Sequence, residues 1–122
     1  KSGDFTFSEG QDAMHGLMTL EDHPSAVFIL NDMMAIGAIS TARRLGYQVP
    51  EDVSIIGFDD IELANAINPS LTTMAQPIQE IAEVTTIRLI EKMISNDSEW
   101  ENQQFILNAK LVIRESTAPI KG

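Results

Sequence analysis

An open α/β fold built on a parallel sheet is predicted by three features of this sequence. Two apolar runs of strand length, Ala26-Val27-Phe28-Ile29-Leu30 and Ser54-Ile55-Ile56-Gly57-Phe58, each end on a polar pair, Asn31-Asp32 and Asp59-Asp60. About a dozen residues of helical pattern separate them, which makes one right-handed βαβ unit with two buried, parallel, neighbouring strands. Ligands of open α/β sheets bind just outside the carboxyl ends of the strands. Asn31 and Asp59 are therefore expected to face one crevice, the geometry of a small-ligand receptor.

The elements follow in order. Ser8 with Gln11 three residues later gives a capping-box start, and Ala13, Met14, Leu17 and Met18 then share one helical face up to about Leu20. Glu21-Asp22-His23-Pro24 is a turn that delivers the first strand. Asp32 suits the N-cap of the next helix, which runs to Leu45 and stops at Gly46, with Pro50 just beyond. The second strand covers Val53 to Phe58. An irregular segment, Ile61 to Pro69, leads into a short strand at Leu71-Thr72-Thr73-Met74. Gln76-Pro77 opens a longer helix, because proline is preorganised for the first helical position; Ile78, Ile81, Ala82, Thr85, Leu89 and Met93 form its apolar stripe. Ser95 to Asn102 is a polar loop, and Phe105-Ile106-Leu107 and Leu111-Val112-Ile113-Arg114 are closing strands.

Composition narrows the function. The chain has 122 residues, 43% of them hydrophobic, which is ordinary for a single globular domain with a modest core. A net charge of −10 with only eight scattered basic residues argues against nucleic-acid binding by this segment, since phosphate contacts need clustered Lys and Arg. No cysteine is present, which excludes disulfides and thiolate zinc sites. No apolar run reaches the ~18 residues that would span a membrane. So few strands point to a piece of a longer product.

The helix after Asn31 carries a further clue. At 100° per residue, Met34, Ala35, Ala38, Ile39, Ala42 and Leu45 make a sheet-covering face, whereas Met33 and Ile36 fall on the side of Ser40 and Arg44. Two large apolar groups on a polar side mark either a partner surface or a contact with another part of the same chain.

Four stretches carry a family resemblance. Asn31-Asp32-Met33-Met34-Ala35-Ile36-Gly37-Ala38, Val49-Pro50-Glu51-Asp52-Val53-Ser54-Ile55-Ile56-Gly57-Phe58-Asp59-Asp60, Pro69-Ser70-Leu71-Thr72-Thr73-Met74-Ala75-Gln76-Pro77 and Leu111-Val112-Ile113-Arg114-Glu115-Ser116-Thr117-Ala118-Pro119 closely resemble the lac-repressor (LacI/GalR) family of bacterial transcription regulators. The match covers nearly the whole chain, in order and with the family's spacing. It implies a periplasmic-binding-protein-like (type I) lobe, a Rossmann-like three-layer α/β/α arrangement. Residues 1–75 and 110–118 would belong to the C-terminal lobe of such a receptor. Residues 77–108 would be a crossover and a helix of the N-terminal lobe, and the helix-turn-helix headpiece would lie outside this chain. The chain alone is then not expected to bind operator DNA. The resemblance also implies a cytoplasmic homodimer with no cofactor, no catalytic residues and no metal.

Phe5, Asn31, Asp59 and Gln76 resemble the family's effector contacts, and their chemistry suits a sugar. An ionised Asp59 accepts from two neighbouring hydroxyls, each charge-assisted bond contributing about 1.5–3 kcal/mol. Asn31 and Gln76 each offer a donor and an acceptor, and Phe5 offers a flat apolar wall. Each also has a plainer role: Asn31 as a cap, Asp59 as a loop carboxylate, Gln76 beside a helix start and Phe5 as core. Asp60 is expected to point away from Asp59, because side chains alternate at a strand end. Two like charges at 4 Å repel by about 4 kcal/mol at an effective dielectric of 20, so the acids around this crevice favour a neutral sugar over a sugar phosphate. Asp59-Asp60-Ile61-Glu62-Leu63-Ala64 is most similar to ribose-operon repressors. Positions matching Ile36 and the stretch around Ile67 lie in the family's dimer contact, which with Met33 gives Met33, Ile36 and Ile67 as the expected interface.

Two other readings compete. A periplasmic sugar-binding protein of an ABC transporter would share the fold and the pocket. An enzyme could use the adjacent carboxylates to hold Mg²⁺, but the sequence has no P-loop, G-x-S-x-G, H-E-x-x-H or cysteine nucleophile.

Overall fold

The computed structural model of the chain describes residues 5–95 and 104–119. Its elements are α1 (Phe7–Met18), β1 (Ala26–Phe28), α2 (Asp32–Arg44), β2 (Ser54–Asp59), α3 (Glu62–Ala66), β3 (Thr72–Ala75), α4 (Ile78–Ile94) and β4 (Lys110–Val112). The four strands form one sheet in the order β1-β2-β3-β4. Strands β1, β2 and β3 run parallel, with Ala26 opposite Ser54 and Ile56 opposite Thr72. The mixed α/β class with a parallel-dominated sheet is as expected.

The chain divides into two compact units, residues 1–75 with 111–122 and residues 76–110. In the first unit, α1 and α2 pack closely against one another. A Cβ on Gly37 would collide with the Phe7 carbonyl oxygen, so only glycine allows this approach. The core is formed by Met14, Met18, Ala35, Ala38, Ile39, Ala42, Val53, Ile55, Ala64 and Leu71, with Ile61 and Ile67 packed against it. Burying one such Leu, Ile or Met side chain stabilises the fold by about 1.5–3 kcal/mol.

The carboxy-terminal segment stitches the sheet at the amino ends of β2 and β3. Ser116 is fully buried. Its hydroxyl donates to the Ile55 carbonyl at 2.6 Å and accepts from the Thr72 N–H at 2.8 Å. Its own carbonyl accepts from Ile55 N–H at 2.8 Å. One serine thus joins β2 and β3 at the amino-terminal end of their pairing.

In the second unit, Arg88 lies over the Phe105 ring, 4.8 Å from its centroid, and pairs with Glu91 at 3.0 Å. A groove of about 550 Å³ runs between α4 and residues 105–107, lined by Ile81, Val84, Leu89 and Phe105 among others.

Several local expectations change. Helix α1 is capped by Thr6, with Glu9 returning to the Thr6 N–H, so the capping box lies two residues before the Ser8–Gln11 pair. Residues 62–66, read as irregular, form α3. Residues 105–107 are not a strand. The Ser95–Asn102 loop lies outside the described residues beyond Ser95. Strand β1 is an edge strand rather than a buried one, with Phe28 55% and Leu30 65% exposed. The stripe on α4 forms a helix as predicted, but none of its residues is buried.

Candidate functional site

The first two strands are parallel neighbours: Phe28, the last residue of β1, lies opposite Ile56 and the Ile29 N–H donates to the Ile56 carbonyl at 2.8 Å, while β2 runs on to Asp59. Beyond β1 the backbone turns straight into α2, and Asn31 is the N-cap. Its Oδ1 accepts from the Met34 N–H at 2.7 Å, while its Nδ2 donates to the Phe5 carbonyl at 3.1 Å. The plainer role of Asn31 is therefore real, and it leaves the amide a second N–H and a second lone pair. The same bond sets Phe5 beside Asn31, with the Phe5 side chain 57% exposed. Phe5 is not core.

Asp32, expected from the sequence to cap the helix, is instead its first residue. It is fully buried, and its carboxylate accepts from Thr73 Oγ1 at 2.6 Å and from the Ile61 N–H at 2.9 Å. The site needs Gly57, because a Cβ there would collide with the Asp32 carboxylate oxygen. Both residues of an Asn-Asp pair are good caps; the space over Gly57 decides which of them turns inward.

After β2 the chain turns through Asp59 at φ 119° and Asp60 at φ 58°. Non-glycine residues at positive φ are uncommon, and each such position costs about 1–3 kcal/mol unless its surroundings hold it. The two sides of this turn are tethered. Asp60 accepts from Arg114 Nη2 at 2.6 Å, and Arg114 Nη1 donates to the Leu71 carbonyl at 2.8 Å. Leu71 precedes β3 at its amino end, so Arg114 ties the Asp60 carboxylate to the backbone beside β3. Asp32 holds the Ile61 N–H on the other side.

Gln76 is the first residue of the second unit, whereas Phe5, Asn31 and Asp59 belong to the first. Sequence reasoning missed Thr73 and Arg114. The signal for both was a polar residue next to apolar ones, Thr73 before Met74 and Arg114 after Leu111-Val112-Ile113, since a polar group drawn inward is costly unless it is hydrogen-bonded.

Of the expected interface residues, Met33 is 40% exposed, Ile36 only 9%, and Ile67 half-buried. The expected exposure of Ile36 is not found. It belongs to the core cluster, against which Ile61 and Ile67 also pack, so the apolar outlier on the helical wheel is covered within the chain.

Parallel strands with Asn31 and Asp59 on their carboxyl side, and a tethered turn after β2, make an open α/β lobe. The chain belongs to the periplasmic binding protein-like domain family, whose model matches residues 2–117. Among curated relatives, the HTH-type transcriptional repressor CytR of Escherichia coli (strain K12) is 44% identical over 115 residues, 94% of this chain and 33% of the repressor. The chain thus spans a third of the length of the curated relatives it matches. Two solved structures are LacI family transcriptional regulators with bound ribose. That of Enterococcus faecium is 35% identical with a TM-score of 0.81, over 96% of this chain and 42% of the regulator. That of Enterococcus faecalis V583 is 32% identical with a TM-score of 0.84, over 97% and 43%. The homologues are LacI-family transcriptional repressors rather than enzymes or transport receptors.

Proposed function

We propose that this chain is the effector-sensing part of a LacI-type transcriptional regulator, with a neutral sugar as effector and ribose as the first candidate. The observation that carries the reading is that Asp59 ends β2 and Asn31 follows its parallel neighbour β1, both on the carboxyl side of the strands. The two ribose-bound regulators of the same fold support it. Asp59 accepts from two sugar hydroxyls, Asn31 gives its second N–H and lone pair, and Phe5 covers a C–H face.

The full-length protein acts in the cytoplasm as a homodimer, binds operator DNA through a helix-turn-helix headpiece outside this chain, and catalyses no reaction. Sugar binding shifts a two-state equilibrium between lobe orientations, and the paired headpieces change operator affinity by the same coupling. Met33 is the interface residue with surface to offer a second copy. No helix among the described residues is long and apolar enough to cross a membrane.

The test is ribose titration of the full-length protein by calorimetry, with Asp59→Ala beside it. Ribose binding that falls at least tenfold in the variant, with an unchanged circular dichroism spectrum, is the expected outcome. Equal affinity in both proteins removes Asp59 from the site.

A further inference from the structure

We propose that Asp32, with Thr73 behind it, is a positioning residue that fixes the orientation of Asp59 toward the ligand; this rests on the reading of Asp59 as a sugar contact. Asp59 is the last residue of β2, and the direction of its side chain is set by a backbone at φ 119° followed by Asp60 at φ 58°. Two successive residues at positive φ do not keep that geometry by themselves. Strained backbone of this kind persists where neighbouring groups over-determine it.

The Asp32 carboxylate does this from inside. Its Oδ2 accepts from the Ile61 N–H at 2.9 Å, the first backbone donor after the turn, and its Oδ1 accepts from Thr73 Oγ1 at 2.6 Å on the adjacent strand. The carboxylate is fully buried and rests over Gly57, where no side chain fits. Arg114 holds Asp60 at 2.6 Å from the other side. An anion in so dry a place is strongly committed to its partners, so the turn has one conformation rather than several. Asp32 lies at the start of α2, directly after Asn31. The group that orients Asp59 is therefore built into the same helix start as the second proposed sugar contact.

The experiment is a double-mutant cycle in the full-length protein, with ribose affinity measured by calorimetry for the parent, Asp32→Asn, Asp59→Asn and the double variant. Asp32→Asn keeps the shape and the acceptor for Ile61 but changes the bond to Thr73. If Asp32 acts through Asp59, Asp32→Asn weakens ribose about tenfold in the parent and less than twofold when Asp59 is already Asn. The same fold-loss in both backgrounds, or an affinity within twofold of the parent, overturns the inference. Should Asp32→Asn not fold, Thr73→Val and Thr73→Ser replace it. Valine is expected to weaken ribose, and serine, which restores the hydroxyl, is expected to recover it; valine that binds like the parent sinks the proposal. Asp59→Asn with unchanged affinity is a different failure, because it removes the reading of Asp59 itself and the positioning role with it.

Discussion

Replacing Ser116 by alanine removes one oxygen and nothing else, yet it is expected to be among the costliest small changes in this chain. That oxygen donates to the Ile55 carbonyl at 2.6 Å and accepts from the Thr72 N–H at 2.8 Å, in a place with no solvent exposure. A neutral hydrogen bond contributes about 1 kcal/mol net, but a buried group left without its partner costs about 1–3 kcal/mol. Two backbone groups lose their partner at once, so Ser116→Ala should destabilise the fold by about 3 kcal/mol. With a urea slope of about 2 kcal/mol/M, the unfolding midpoint drops by about 1.5 M. Ser40→Ala on the exposed side of α2 is the control, within about 0.5 kcal/mol of the parent. The local readout is amide exchange at Thr72, which should speed up in the variant more than at neighbouring strand positions. A midpoint shift below about 0.3 M with Thr72 exchange unchanged would refute the argument that a serine stands in for a strand partner here.

Asn31→Asp keeps the cap on Met34 but loses the donor to the Phe5 carbonyl; helix stability should change by less than about 1 kcal/mol, while ribose affinity falls, as read by thermal melting and calorimetry on one sample. Gly37→Ala drives a methyl into the Phe7 carbonyl and should cost about 1–3 kcal/mol as overpacking, seen in the urea midpoint. Glu115 is held below the ordinary carboxylate value by the Ser70 N–H and then by the Ser70 hydroxyl, each at 3.0 Å. Its folded-state value is thus depressed, and its contribution to stability is present above the unfolded value and lost as pH falls through the folded one. Carboxyl-carbon NMR should show Glu115 titrating below the ordinary glutamate value, and Ser70→Ala should move it part of the way back. Met33→Asp should shift the full-length protein toward monomer in sedimentation, with ribose affinity retained; an unchanged dimer would remove Met33 from the interface.

The legible part of this fold was local. Apolar runs of strand length, the proline opening α4, and the glycine after α2 each act within a few residues, so periodicity and turn chemistry expose them. Strands β1 and β2 were legible as parallel neighbours for the same reason, since a short right-handed crossover leaves two strands little choice but to lie side by side. The cap on α2 was not legible. Asn31 and Asp32 are chemically equivalent caps, and the choice between them depends on Gly57 and Thr73, which are remote in sequence.

Burial divided in the same way. A helical wheel places Ile36 on the polar side of α2, but the core cluster in which Ile61 and Ile67 also pack closes over it. The stripe on α4 names the face that is ready to pack, and no described residue buries it.

The sequence by itself determined the order and kind of most elements, the parallel pair β1–β2 and the polar residues that follow each strand, because these follow from near-neighbour sterics and hydrophobic periodicity. Tertiary structure decided whether Asn31 or Asp32 turns inward, how the Asp59–Asp60 turn is tethered through Asp32 and Arg114, and that Ser116 joins β2 and β3 at their amino ends. Each of these is a contact between residues 25 or more positions apart. No local rule reaches that far; only the packed sheet brings the partners within hydrogen-bond distance.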